Sequence, residues 1–104
     1  MEPRERYDEI ADDLLAQNED VSLGQMMGMP CIKKGSKMIG GFSRGAMVFK
    51  LADVDAREQA LALGGATLFD PSGEGKPFRE WVVVPAAHAD RWPDLAAQAL
   101  MSAA

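Results

Sequence analysis

Between Gly24 and Leu51 the chain reads GQMMGMPCIKKGSKMIGGFSRGAMVFKL. Apolar and polar positions alternate there in short runs, separated by residues that favour turns. Cys31, Ile32 and Lys33 predict a first strand. A second, over residues 37–42, directs Met38, Gly40 and Phe42 to one side and Lys37, Ile39 and Gly41 to the other. A third, over 46–51, opposes Met47, Phe49 and Leu51 to Ala46, Val48 and Lys50. Lys34-Gly35-Ser36 and Ser43-Arg44-Gly45 are short enough to join antiparallel neighbours, so the three strands form a meander. Pro30 breaks any helix and biases Met29 to an extended form, and residues 21–28 read as the approach to the sheet.

The flanking periodicities are helical. Over residues 3–17, Tyr7, Ile10, Leu14 and Leu15 share one face, and Asp8, Glu9, Asp12 and Asp13 lie opposite. Pro3 suits a first turn. A second helix starts at Asp53 or Asp55 as cap and runs to about Leu63, where Gly64-Gly65 ends it. A short strand over 66–69, a Pro/Gly-rich loop over 70–77 and a strand over 78–84 follow. Residues 86–91 make a helical turn. Pro93 opens a last helix to about Met101, after which residues 102–104 fray. The predicted order is α-β(3)-α-β(2)-α: a five-stranded, mostly antiparallel sheet with helices mainly on one face, in a two-layer α+β domain.

Such a sheet has one covered and one open face. Met38, Phe42, Met47, Phe49, Leu51 and, in one register, Trp81 and Val83 are expected under the helices. The second face then presents Ile39, Val48, Val82 and Val84, bordered by Lys37, Lys50 and Glu80. An apolar centre with a charged rim fits a docking surface, for a second copy or another protein. A loop or the first helix folded over it is the alternative. The candidate contact residues are therefore Lys37, Ile39, Val48, Lys50, Val82 and Val84.

Composition adds constraints. The 104 residues suffice for one domain. No stretch approaches the ~20 apolar residues of a membrane helix, and the acidic N-terminus is not a signal peptide. One cysteine, Cys31, excludes an internal disulfide and fits the cytoplasm. Net charge is −5, unevenly distributed. Residues 31–50 hold Lys33, Lys34, Lys37, Arg44 and Lys50 with no acid, between two acidic segments. Overall repulsion disfavours nucleic acid, but a local basic patch of Lys33, Lys34 and Arg44 remains a candidate. Its plainer explanation is a set of solvated turn and edge residues that discourage aggregation.

Chemistry-bearing motifs are sparse. Cys31 and His88 are the single thiol and imidazole. A catalytic pair would need a third orienting group, and Cys31 has no helix N-terminus after it to lower its pKa. One Cys and one His do not close a zinc site. The GEGK of residues 73–76 lacks phosphate-loop spacing and is followed by Pro77 instead of Ser or Thr. Asp12 and Asp13 diverge by ~100° on their helix and form no acid pair. No catalytic, cofactor-binding or metal-binding residues are predicted.

The ordered set Met27-Gly28, Lys37-Met38, Met47-Val48-Phe49-Lys50-Leu51, Phe69-Asp70-Pro71, Glu80-Trp81-Val82, Val84-Pro85 and Trp92-Pro93 resembles the N-terminal domain of TfoX/Sxy proteins and the broader MmcQ/YjbR-like group. The resemblance runs from about residue 5 to residue 100. It implies the same α-β(3)-α-β(2)-α order, in one domain over residues 1–104 without the C-terminal helical domain of that family. Met27 stands where the family usually has Phe. Family members regulate competence-gene transcription, so the resemblance implies a non-enzymatic regulatory or protein-interaction module; the apolar second sheet face adds the expectation of a homodimer, or of another protein partner, joined there. The alternatives are a nucleic-acid-associated regulator using the basic patch and, third, a small-molecule binder or enzyme near Cys31.

Overall fold

A computed structural model describes residues 2–70, 73, 75 and 77–103. The order is α1 (Pro3–Gln17), β1 (Val21–Met26), β2 (Met29–Lys34), β3 (Lys37–Ser43), β4 (Ala46–Lys50), α2 (Val54–Leu61), β5 (Thr67–Leu68), β6 (Trp81–Val84), a 3-10 turn (Ala86–Arg91) and α3 (Trp92–Ser102). All strand pairs are antiparallel, in one six-stranded sheet ordered β1-β2-β3-β4-β6-β5.

The α+β class and the helix–strand order agree with the sequence pattern; among the described residues the strand count is six, not five. The added strand is β1, over residues that read as an approach to the sheet. It pairs with β2 from Met26–Met29 to Val21–Lys34. The turn joining them is Met27-Gly28, with φ of 53° and 78°. Such a two-residue turn needs positive φ at both positions, which Asn or Asp usually supplies at the first. Methionine there gives no composition signal. Pro30 is tolerated inside β2 because its position opposite Gln25 is a non-hydrogen-bonded one on the β1 side. Its missing N–H therefore faces β3, where the ladder already stops at Cys31–Gly41. Arg44-Gly45, with φ of 52° and 80°, repeats the turn geometry between β3 and β4.

Helix ends follow local chemistry. Asp53, not Asp55, caps α2: its carboxylate accepts from the Ala56 N–H at 2.9 Å. Gly65, at φ 84°, turns the chain towards β5. Lys34 Nζ donates to the Ala103 carbonyl at 3.0 Å and the Leu100 carbonyl at 3.4 Å, placing a cation at the negative end of α3. α3 extends to Ser102, one residue past the predicted end, and Ala104 lies outside the described residues.

The helices lie on one face of the sheet. Tyr7, Ile10 and Ala11 of α1, Ala60 of α2 and Trp92, Leu95, Ala96 and Ala99 of α3 pack on Ile32, Ile39, Met47, Phe49, Val82 and Val84. Trp92 is fully buried and its indole N–H donates to the Val84 carbonyl at 3.2 Å. Among the described residues, no helix is long and apolar enough to cross a membrane.

Tyr7, the single tyrosine, reports on this core. Burial above all, with the charges of Cys31 and Asp8 adding and Arg4 opposing, raises its hydroxyl from the ordinary 10.0 to about 12. The folded state holds this proton more tightly than the unfolded chain. The contribution to stability is therefore full below pH 10 and lost as pH rises towards 12. A near-ultraviolet titration should find the tyrosinate midpoint near 12 in the native protein and near 10 in denaturant. Tyr7→Phe should flatten the alkaline limb of stability, whereas a native midpoint near 10 would place the ring in water.

Candidate interaction face

The opposite side of the sheet carries a second apolar cluster that contains no helix residue. Met29, Cys31, Met38, Val48 and Phe69 are buried in it, and Met26, Trp81 and Val83 are partly buried against it. Cross-strand pairing explains the grouping. Cys31, Gly41, Val48, Val83 and Thr67 lie in one row across the sheet, and Lys50 pairs with Trp81 beside it.

A β-bulge decides which residues reach this face. Ile32 pairs with Gly40, but the next pair is Lys33 with Met38, leaving Ile39 as an extra residue in β3. The bulge reverses the phase of the strand. Met38 turns to the helix-free side, while Ile39 joins Phe42 on the core side. This corrects the strict alternation expected for residues 37–42.

The face assignment is corrected on β6 as well. Met47 pairs with Val84 and Phe49 with Val82, so those two valines lie beneath the helices and Trp81 and Val83 point away. Ile39, Val82 and Val84 are therefore core residues, 2%, 0% and 0% exposed, and not part of an open surface. Of the six predicted contact residues, Val48 and Lys50 belong to the helix-free face. Lys37 lies at the β2–β3 turn, opposite Lys34.

Val48 and Cys31 are fully buried without any helix over them. Side chains of the same face seal them. Gly41 has no side chain, and the Met29 and Met38 methyl groups fold over the gap; a Cβ at Gly41 would lie 3.0 Å from each and 3.0 Å from the Pro30 carbonyl oxygen. The Lys33 stem lies over Gly24, with Cε 3.4 Å from where a Cβ would be. Phe69 closes the far side and meets Phe78 edge-on, at 6.1 Å between ring centroids. The centre is thus capped by unbranched, adaptable methionines and the margin by aromatic rings.

At the hairpin-tip end the face opens into a groove of ≈ 540 Å³, lined by Met27, Met29, Arg44, Phe69, Asp70 and Val83 among others. Met27 and Phe78 are exposed. The two Asp70 carboxylate oxygens accept from the Gly73 and Gly75 N–H groups at 3.1 and 2.9 Å, fixing the start of the 70–77 loop. Of that loop, Pro71, Ser72, Glu74 and Lys76 lie outside the described residues, and the GEGK reading with them.

The three basic candidates do not form one patch. Lys33 lies over β1 on the helix-free face, and Lys34 is engaged with the α3 carbonyls. Arg44 is at the opposite end of β3, roughly 20 Å from Lys37 at the strand spacing of extended chain. Lys34 is a helix cap that charge counting alone assigned to a surface patch.

Cys31 and His88 are likewise apart. Cys31 is sealed in the helix-free face, where burial raises its thiol pKa, against smaller opposing effects of Lys33 and the Gly24 N–H. His88, in the 3-10 turn, pairs through Nε2 with the Gly64 carbonyl oxygen at 2.9 Å. Among the described residues no cluster of His, Cys, Asp or Glu has the grouping of a metal site. Residues missed in the sequence were Met29, Met38 and Phe69. The bulge turns Met38 to this face, pairing with β1 extends β2 back to Met29, and the Phe69 N–H donates to the Trp81 carbonyl at 2.8 Å beside β6; the bulge and β1 have no composition signal. Compared with family models, curated proteins and solved structures, the chain matches none.

Proposed function

We propose that this chain is a non-enzymatic regulatory or interaction module of the kind its resemblance to the TfoX/Sxy N-terminal domain implies, acting in the cytoplasm, and that its helix-free sheet face receives a partner protein. One observation supports this reading above the others. A sheet face with no helix over it is built on a buried apolar cluster of Met29, Met38, Val48 and Phe69 with Trp81 and Val83 partly exposed on it, where a solvent-facing sheet normally alternates to polar residues. Methionine caps repack readily against different surfaces, and a partly exposed tryptophan at the margin is a common anchor of binding energy. Lys33 and Lys50 supply charge near the apolar centre.

The test is a photoreactive residue at Val83, on this face, compared with one at exposed Gln59 on α2, in cell extract. The reading expects discrete protein adducts at position 83 that are absent at 59. Trp81→Ala should reduce them by roughly tenfold or more, the scale of a hot-spot side chain. Identical adducts at the two positions would remove the reading.

A further inference from the structure

We propose that the protein is a homodimer joined through β1, whose outer edge pairs antiparallel with β1 of a second copy. β1 is the end strand of the sheet. Free strand edges are normally blunted by Pro, by charged side chains, by bulges or by shortness. The other edge, β5, is two residues long. β1 has six residues, Val21-Ser-Leu-Gly-Gln-Met, with no charge, no proline and a regular register against β2.

The backbone donors fix the register. The two-residue turn makes Met26–Met29 a hydrogen-bonded pair, so Gly24–Cys31 and Ser22–Lys33 are hydrogen-bonded too. The N–H and C=O groups of Leu23 and Gln25 then point away from the sheet, and among the described residues they meet no partner. Val21 offers only its carbonyl outward, because its N–H is spent on the Asn18 carbonyl at 3.3 Å.

A two-fold axis at Leu23, perpendicular to the sheet, satisfies this set. Leu23 exchanges both bonds with Leu23 of the partner subunit, and each Gln25 N–H donates to the carbonyl of Val21 of the partner subunit. Residues of equal parity meet, so each face of the sheet continues into the same face of the second copy. Leu23, 44% exposed in the single chain, packs on its own counterpart. Lys33, which reaches over Gly24, comes beside Ser22 of the partner subunit, whose hydroxyl accepts from an ammonium. No like charges within β1 oppose the pairing. The helices remain on one side, and the two helix-free faces join into one surface of twice the extent.

This dimer uses a surface separate from the docking face, so the two readings fail separately. The experiment is sedimentation equilibrium of the full chain, with Leu23→Lys, Gln25→Pro and Val83→Lys. Leu23 and Gln25 are exposed and their N–H groups are outside the β1–β2 ladder, so both edge variants keep the fold. The expected result is a dimer for the parent and for Val83→Lys and a halved mass for both edge variants. Hydrogen exchange on the parent gives an independent reading: the Leu23 and Gln25 amides should be protected when concentrated and exchange freely on dilution, while Ser22 and Gly24 stay protected throughout. α1, with two basic and five acidic side chains, packs beside β1, so the dimer should tighten as salt rises. A parent that stays monomeric, or a dimer that survives both edge variants, overturns the proposal. A dimer lost only in Val83→Lys also overturns it, and moves the contact to the sheet face.

Discussion

Trp92→Ala is expected to cost about 3–5 kcal/mol, the range for truncating a buried large aromatic side chain. The indole is fully buried where α3 begins and joins the helical layer to the end of β6 through its bond to the Val84 carbonyl. Removing it leaves a cavity and an unpaired carbonyl together. Since whole domains are stable by only ~5–15 kcal/mol, the loss is a large share of the total. Trp92→Phe separates the two contributions. It keeps most of the packing and should cost about 1–3 kcal/mol, mostly for the orphaned carbonyl. Denaturant unfolding followed by the remaining tryptophan, Trp81, measures both. An Ala variant within about 1 kcal/mol of the parent, the range of an ordinary surface substitution, would show that α3 is not anchored at this point.

Much of this architecture was legible in the order of residues. α1, the 3-10 turn and the three strands of the meander follow from periodicity and from turn residues of ordinary type. Gly35 and Gly45 mark their turns, and Gly64-Gly65 marks the exit from α2. Asp53 announced itself as a cap by type, though Asp55 was equally eligible; only the hydrogen bond to Ala56 separates them. β1 was hidden because Met27 occupies a position of positive φ that methionine seldom takes. One unusual residue concealed a hairpin and with it an edge strand.

The helix-free face was half legible, for a different reason. A strand exposes its face by parity, and one inserted residue inverts the parity beyond it. Ile39 is that residue in β3. On β6, WVVV is apolar at every position, so its pattern does not say which pair of side chains faces the helices; the pairing of Phe49 with Val82 does. The apolar face was therefore foreseen as a feature but populated with core valines. Val48 and Lys50 kept their places because β4 pairs with β3 and β6 in a register without a bulge. Lys34 shows the same limit for charge, since a lysine that caps a helix 66 residues away looks in sequence like any other surface cation.

The second large effect comes from these adjacent valines. Val82→Lys places an ammonium among Phe49, Leu68 and the helices, and should cost at least about 3 kcal/mol, because a buried unpaired charge is among the few changes that destabilise so strongly. Val83→Lys, one residue on, puts the same side chain at the partly exposed surface of the methionine-capped face. Its stem can lie along the sheet with the ammonium in water, at a cost below about 1 kcal/mol. Urea unfolding of the two variants side by side measures the division of the sheet into a helix-covered and an open face. A severe loss for Val82→Lys with near-parental stability for Val83→Lys is the predicted result; equal losses, or the reverse order, would contradict it.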